Sequence, residues 1–240
     1  MYSHYLDERI IASIVDAKIL LSRGYPKEAT FNFVAQKYSL TKSERNYLHR
    51  LVHTPEEIEL VKKKLKKPNY ITGRHIAVDG FNILITLEAG LRGHNLYICD
   101  DGMIRDLESS YGRYKLSEYT HIALNKLTSY IASLKPSKVT FIYDAPISHS
   151  GEIASITREI LNKYSLKGDA TTSKRPDSEL ARTGDVVLTS DIVIIKYAKA
   201  VVDIVHALHK QYKFNIIDLR PLIQKELKNL LHYISNFIVI

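Results

Sequence analysis

The 240-residue sequence is poorest in sulfur and indole: one cysteine, two methionines and no tryptophan. A single cysteine, Cys99, excludes an internal disulfide and any cysteine zinc cage. Long apolar runs are missing too. None reaches the roughly 18 residues that a membrane-spanning helix needs. The first residues, Met1-Tyr2-Ser3-His4-Tyr5-Leu6-Asp7-Glu8-Arg9, lack the layout of a signal peptide. These absences lead to the expectation of a soluble, cytoplasmic protein without a membrane partner. No Gly-x-Gly-x-x-Gly follows the first strand, which disfavours a dinucleotide cofactor. Acids are the minority charge, 26 against 34 Lys and Arg, giving a net charge of +8. A basic surface favours anionic partners, nucleic acid first.

What is present is enough for one or two folded domains. With 45% hydrophobic and 25% charged residues, the chain can bury a core and is not globally disordered. The first part reads as helices. Ile10, Ile11, Ile14, Val15, Ile19 and Leu20 recur near helical spacing over 9–23, and Gly24 stops that helix. Pro26 opens a second, Thr41-Lys42-Ser43-Glu44 is a capping box for a third, and Pro55 starts a fourth. The fourth ends in Lys62-Lys63-Lys64-Leu65-Lys66-Lys67 before Pro68. Residues 1–67 therefore form a helical domain, helix-turn-helix-like or a cap, with Arg45, Arg50 and the lysine run as candidate nucleic-acid contacts. A lysine run is more often only a solvated face.

From Tyr70 onward strands alternate with helices, so residues 68–240 form an α/β domain with a parallel sheet. The central stretch is Ile76-Ala77-Val78-Asp79-Gly80-Phe81-Asn82-Ile83-Leu84, a short apolar strand ended by Asp-Gly and followed by a helix. Residues 95–99 and 103–107 flank Asp100-Asp101-Gly102 and read as an inserted β-hairpin with surface acids. Residues 139–144 form the next strand and 186–191 another. An edge strand entering a loop is expected at 170–176, a long helix at 192–210, a last strand at 214–219 and a closing helix at 226–237.

Asp79, Asp144 and Asp191 each end a strand. Acids at the carboxyl ends of parallel strands open into the crevice where such sheets bind ligands. Singly, each has an ordinary explanation: a turn residue at Asp79, a loop cap at Asp144, a helix N-cap at Asp191. All three at the same end are harder to explain that way. Asp177 lies just before the strand that Asp191 ends. Asp185 begins that strand, about 20 Å from its far end at 3.3 Å per residue, and cannot share the site.

Val78-Asp79-Gly80-Phe81-Asn82-Ile83-Leu84, Tyr143-Asp144, Asp177 and Leu188-Thr189-Ser190-Asp191 together resemble the PIN-like nuclease superfamily, particularly its NYN branch. The resemblance covers about Tyr70 to Leu219. Arg23-Gly24-Tyr25-Pro26, Tyr38-Ser39-Leu40-Thr41 and Glu44-Arg45 resemble a small helical domain found ahead of a PIN-like domain in an uncharacterised protein family. The resemblance implies a PIN-like parallel sheet flanked by helices and a metal-dependent phosphodiesterase that cleaves nucleic acid with metal-activated water. RNA is favoured over DNA. It implies Mg²⁺ or Mn²⁺ held by Asp79, Asp144, Asp177 and Asp191, since hard cations take carboxylate oxygens. Asn82 would orient Asp79 or touch a phosphate; Ser190, and less so Thr189, would support water or phosphate. Lys174, Arg175 and Arg105 would clamp the backbone. Tyr111 and Tyr114 could stack on bases, although a core or surface role is commoner, and His149 could touch substrate.

Two rival readings stand beside it. One is a non-catalytic nucleic-acid-binding module on the same fold. The other is a phosphatase, weakened because no second acid stands two residues after Asp79. The sequence is compatible with a homo-oligomer.

Overall fold

A computed structural model describes residues 6–107 and 114–238. Four helices come first: α1 (Glu8–Ser22), α2 (Lys27–Lys37), α3 (Lys42–Leu51) and α4 (Pro55–Lys64). Then follow β1 (His75–Asp79), α5 (Gly80–Leu91), β2 (Leu96–Ile98), β3 (Ile104–Arg105), α6 (Glu118–Ser133), β4 (Lys138–Asp144) and α7 (Ser150–Lys163). The chain continues through β5 (Gly168–Ser173), α8 (Pro176–Thr183), β6 (Val186–Leu188), α9 (Ile192–Tyr197), β7 (Val201–Val202), α10 (Ile204–Tyr212), β8 (Ile216–Asp218) and α11 (Leu219–Ile238). Two compact units divide the described residues: 60–94 with 114–215, and 6–59 with 95–107 and 216–238.

The first unit is α/β. Its five strands run parallel in the order β5-β4-β1-β6-β7. Ile76, Ala77 and Val78 of β1 and Val186, Val187 and Leu188 of β6 are fully buried, as strands covered on both faces must be. Connections run outward from β1 through β4 to β5, then cross to β6 on the other side of β1. The order therefore reverses between β1 and β6, and the crevice beyond their carboxyl ends is the switch point where open α/β sheets receive ligands. Gly80 lets α5 start directly after Asp79, because a Cβ there would lie 2.3 Å from carbons of the Tyr143 ring.

The second unit packs α1, α2, α3 and α11 around Ile14, Phe31, Leu48, Leu51 and Tyr97. Asp7 caps α1 by accepting from the Ile10 amide, and the Thr41–Glu44 capping box forms as its sequence predicts. A three-stranded sheet, β3-β2-β8, belongs to this unit. Thus residues 95–107 and 216–238, besides 6–59, build the helical unit.

Three sequence expectations are corrected. The hairpin exists, with Tyr97 opposite Arg105 and Ile98 opposite Ile104, but its acids are not on the surface. Asp101 and Asp106 are buried. The last strand, β8, does not extend the five-stranded sheet; it pairs in parallel with β2, Leu96 with Ile216 through Ile98 with Asp218. Finally, the long helix expected over 192–210 is two helices. Ala198 leaves helical geometry, Val201 and Val202 pair with Val187 and Leu188, and Asp203 caps α10 by accepting from the His206 amide.

Candidate functional site

Asp79 closes β1, level with Ile142 of β4. On its other side Val78 aligns with Leu188, so Thr189 follows at the level of Asp79. Side chains alternate along a strand, and Asp144, two residues beyond Ile142, therefore shares the face of Asp79 one pleat farther out. Asp191 lies just past the end of β6. Helix α8 packs on β1, β4 and α9 and carries Asp177 in its first turn.

The four carboxylates act on one another. Burial pushes Asp79 up to about 8; the Thr189 hydrogen bond opposes this, while Asp191, Asp144 and Asp177 add to it by repulsion. Asp144 is raised first by burial and then by Asp177 and Asp191, with its own backbone amide pulling the other way. Asp177 is raised by burial and by Asp191. Among the described residues no Lys, Arg or His forms an ion pair with any of the four. Asp79 precedes α5 yet makes no side-chain cap bond. The ordinary role survives only at Asp191, whose Oδ1 accepts from the Val193 amide at 2.8 Å.

The supporting residues are arranged differently from expectation. Thr189 Oγ1 donates to Asp79 Oδ2 at 2.7 Å and accepts from the Asp191 amide at 3.0 Å. Buried Thr189 is thus the residue that orients Asp79. Asn82 instead fixes Ser190: its Oδ1 accepts from the Ser190 amide and hydroxyl, each at 3.0 Å. Periodicity could not have assigned these partners, since Thr189 and Asp79 are 110 residues apart.

Lys174 and Arg175 lie exposed between β5 and α8, the Arg175 amide donating to Ser173 Oγ at 3.0 Å. Arg105 is a correction. It belongs to the helical unit, is buried, and forks onto Asp101 with bonds of 2.8 and 2.7 Å, so its guanidinium is not offered to a phosphate. Arg50 is likewise engaged, with the carbonyl and carboxylate of Asp106, and Arg45 pairs with Glu28. Tyr114 is buried, its hydroxyl against Glu88 and Thr120, and is no stacking platform. Tyr111 lies outside the described residues. His149 is exposed and bound to Glu152 at 3.0 Å. Asp185 is at the opposite strand end, accepting from the His75 amide at 3.2 Å.

The donor chemistry suits a hard divalent cation: carboxylate oxygens only, and no resident positive charge to displace. The cluster is open, however. Among the described residues, the one trio of His, Cys, Asp or Glu whose ligand atoms all lie within 4.8 Å is His53, Asp100 and Asp101 in the helical unit. That trio already holds cations. Lys18 pairs with Asp100 at 2.5 Å, and the Arg105 guanidinium contributes to holding Asp101 down at about 2. It is a closed ion-pair network. Mg²⁺ and Mn²⁺ keep several waters and need few protein ligands, so an open set of carboxylates is compatible with either.

The family model described as Domain of unknown function (DUF5616) matches residues 68–207, more than half of the chain. The chain belongs to this family. Asp79, Asp144, Asp177 and Asp191 all fall within the matched span. A second model, Protein of unknown function (DUF434), matches residues 9–64. An uncharacterized protein of Methanocaldococcus jannaschii is 41% identical over 192 residues, 79% of this chain and 91% of the relative. A crystal structure assigned to an aspartate carbamoyltransferase of Leishmania major Friedlin aligns over 84% of this chain and 68% of its own. Its identity of 13% and TM-score of 0.27 carry no argument.

Proposed function

We propose that the α/β unit is a divalent-metal-dependent phosphodiesterase acting on nucleic acid in the cytoplasm, with RNA the favoured substrate. The observation that carries this reading is four mutually repelling aspartates at a sheet switch point, with no cation among the described residues paired to any of them. An arrangement that destabilises its own protein is retained when a ligand relieves it. Asp79, Asp144, Asp177 and Asp191 would hold Mg²⁺ or Mn²⁺. A bound ion of this kind lowers the pKa of water and offsets charge growing on a phosphodiester in flight.

The chain's own residues do the rest. Thr189 fixes the rotamer of Asp79 and, through its hydrogen bond, favours the ionised form. Asn82 fixes the buried Ser190, whose hydroxyl would support a phosphate oxygen or an attacking water. Lys174 and Arg175 contribute positive charge at one flank. The likeness of the motif set to PIN-like and NYN nucleases supports the same chemistry.

The test is incubation of single-stranded RNA with the protein and Mn²⁺, beside Asp79→Asn and an EDTA control. Cleavage by the native protein alone, abolished by EDTA, is expected. Equal binding without cleavage by both proteins would instead make this a binding module.

A further inference from the structure

The lysine run at the end of α4 is anchored in one place. The Lys64 ammonium donates to the carbonyls of Ile195 and Lys196 at 2.9 and 2.8 Å, closing the C-terminus of α9. Helix ends bind cations there, because the last carbonyls lack partners and carry the negative end of the dipole. Beyond it, Leu65 bridges to Val201 and the Lys66 amide donates to the Val201 carbonyl at 2.8 Å. The run is therefore stitched to α9 and to the sheet edge at β7, within the α/β unit.

That placement gathers charge from distant parts of the sequence. Lys63, Lys66 and Lys67 come beside Lys199; no acid occurs in 60–78 or 192–202, Glu59 and Asp203 adjoin these stretches, and Lys62 and Lys196 already have partners. Lys64 is already spent on α9. In the middle stands Tyr197, 71% exposed, with Val193 one helical turn before it at 44%. Among the described residues no ring or cation covers Tyr197. Helix α9 begins at Asp191 of the acidic quartet, and six rises of 1.5 Å put Tyr197 about 9 Å along its axis.

We propose that α9, Tyr197 and the surrounding lysines form a docking track for single-stranded nucleic acid leading away from the aspartate crevice. An exposed aromatic set among lysines is the combination that binds such strands: bases stack on the ring and ammonium groups follow the phosphates. A duplex offers no free base face to Tyr197. Lys174 and Arg175 follow β5 at the other edge of the sheet, about 19 Å away at four strand spacings of about 4.8 Å. Because β7 runs parallel to β6, α9 leads from the carboxyl end of β6 back to the amino end of β7, so the track descends the β7 edge, while Lys174 and Arg175 carry positive charge at the carboxyl ends beyond the acids. The inference rests on the nuclease reading, since it makes the crevice the destination of the strand.

Binding is measured on the full chain carrying Asp79→Asn, without metal, using a fluorescent single-stranded oligonucleotide as RNA and as DNA, and a duplex control. A triple variant, Lys63→Gln with Lys67→Gln and Lys199→Gln, should weaken single-strand binding about tenfold at low salt. It should also flatten the plot of log affinity against log salt by about 2, at roughly 0.7 per lost phosphate contact. Tyr197→Ala should cost roughly tenfold with the salt slope unchanged. Stronger loss with RNA than with DNA would identify RNA as the strand read here. Unaltered affinity and slope in both variants, or equal binding of duplex, would overturn the track. Cleavage in the otherwise native background separates the two ideas. If cleavage persists while the variants bind normally, only the track fails; if the variants bind weakly but no metal supports cleavage, only the nuclease reading fails.

Discussion

The protein holds two groups of aspartates in two units, and they are managed in opposite ways. In the helical unit Asp100, Asp101 and Asp106 each meet a cation: Lys18 at Asp100, Arg105 at Asp101, Arg50 at Asp106. In the α/β unit Asp79, Asp144, Asp177 and Asp191 meet one another and a few neutral donors. The pKa shifts follow. Attraction overcomes burial at Asp101, which sits at about 2, whereas burial and repulsion together lift Asp79 to about 8. Acid compensated inside the fold is architecture; acid left uncompensated at a ligand crevice is a site waiting for charge from outside.

The contrast can be broken first at its architectural end. Asp101→Asn leaves the Arg105 guanidinium buried without the carboxylate that forks onto it and should destabilise the helical unit by about 3–5 kcal/mol, read by urea unfolding. Asp79→Asn should do the reverse in metal-free protein and raise its thermal midpoint. In activity the order inverts. Asp79→Asn should cut Mn²⁺-dependent cleavage by more than the roughly 10–100-fold that loss of a supporting group costs. Asp101→Asn, assayed where it remains folded, should keep its kcat.

The pH dependence of stability sharpens the comparison, because the two acids have opposite signs. Asp101 binds fewer protons folded than unfolded between about 2 and its ordinary 3.8. Its contribution, about 2–3 kcal/mol, is complete above pH 4 and disappears as pH falls through about 2. Asp79 binds more protons folded than unfolded between 3.8 and about 8. Stability from that proton is present below pH 4 and declines as pH rises through 8. Denaturant midpoints across this range should show an acid limb removed by Asp101→Asn and a decline between about pH 4 and 8 removed by Asp79→Asn.

A smaller effect is expected at Thr189. Thr189→Val keeps the shape but removes the hydroxyl that donates to Asp79. Cleavage should fall roughly 10–100-fold. Because that bond favours the ionised acid, the rising limb of the pH–rate profile should also move to higher pH.

The parallel sheet was legible because strand ends announce themselves: Val78-Asp79-Gly80 and Tyr143-Asp144 join short continuous apolar runs, the mark of strands buried on both faces, to turn residues. The hairpin at Asp101-Gly102 was legible for the same reason. What these acids would meet was not. Asp100 and Asp191 look alike in sequence, each following a short apolar run, but His53, which hydrogen-bonds to Asp100, and Lys18, which neutralises it, lie 47 and 82 residues away. Tertiary pairing at such separations leaves no local signal. The same limit hid the break after Tyr197, where a helix-compatible stretch becomes β7 because Val201 and Val202 find the edge of β6.

Mn²⁺ uptake by the full chain at pH 7, followed by electron paramagnetic resonance together with proton release, tests the contrast most directly. Native protein and Asp101→Asn should bind the ion and release a proton, as a raised carboxyl ionises to accept it. Asp79→Asn should lose both signals. Uptake that survives Asp79→Asn but disappears in Asp101→Asn, or no uptake by the native protein, would contradict the assignment of the open quartet as the metal site.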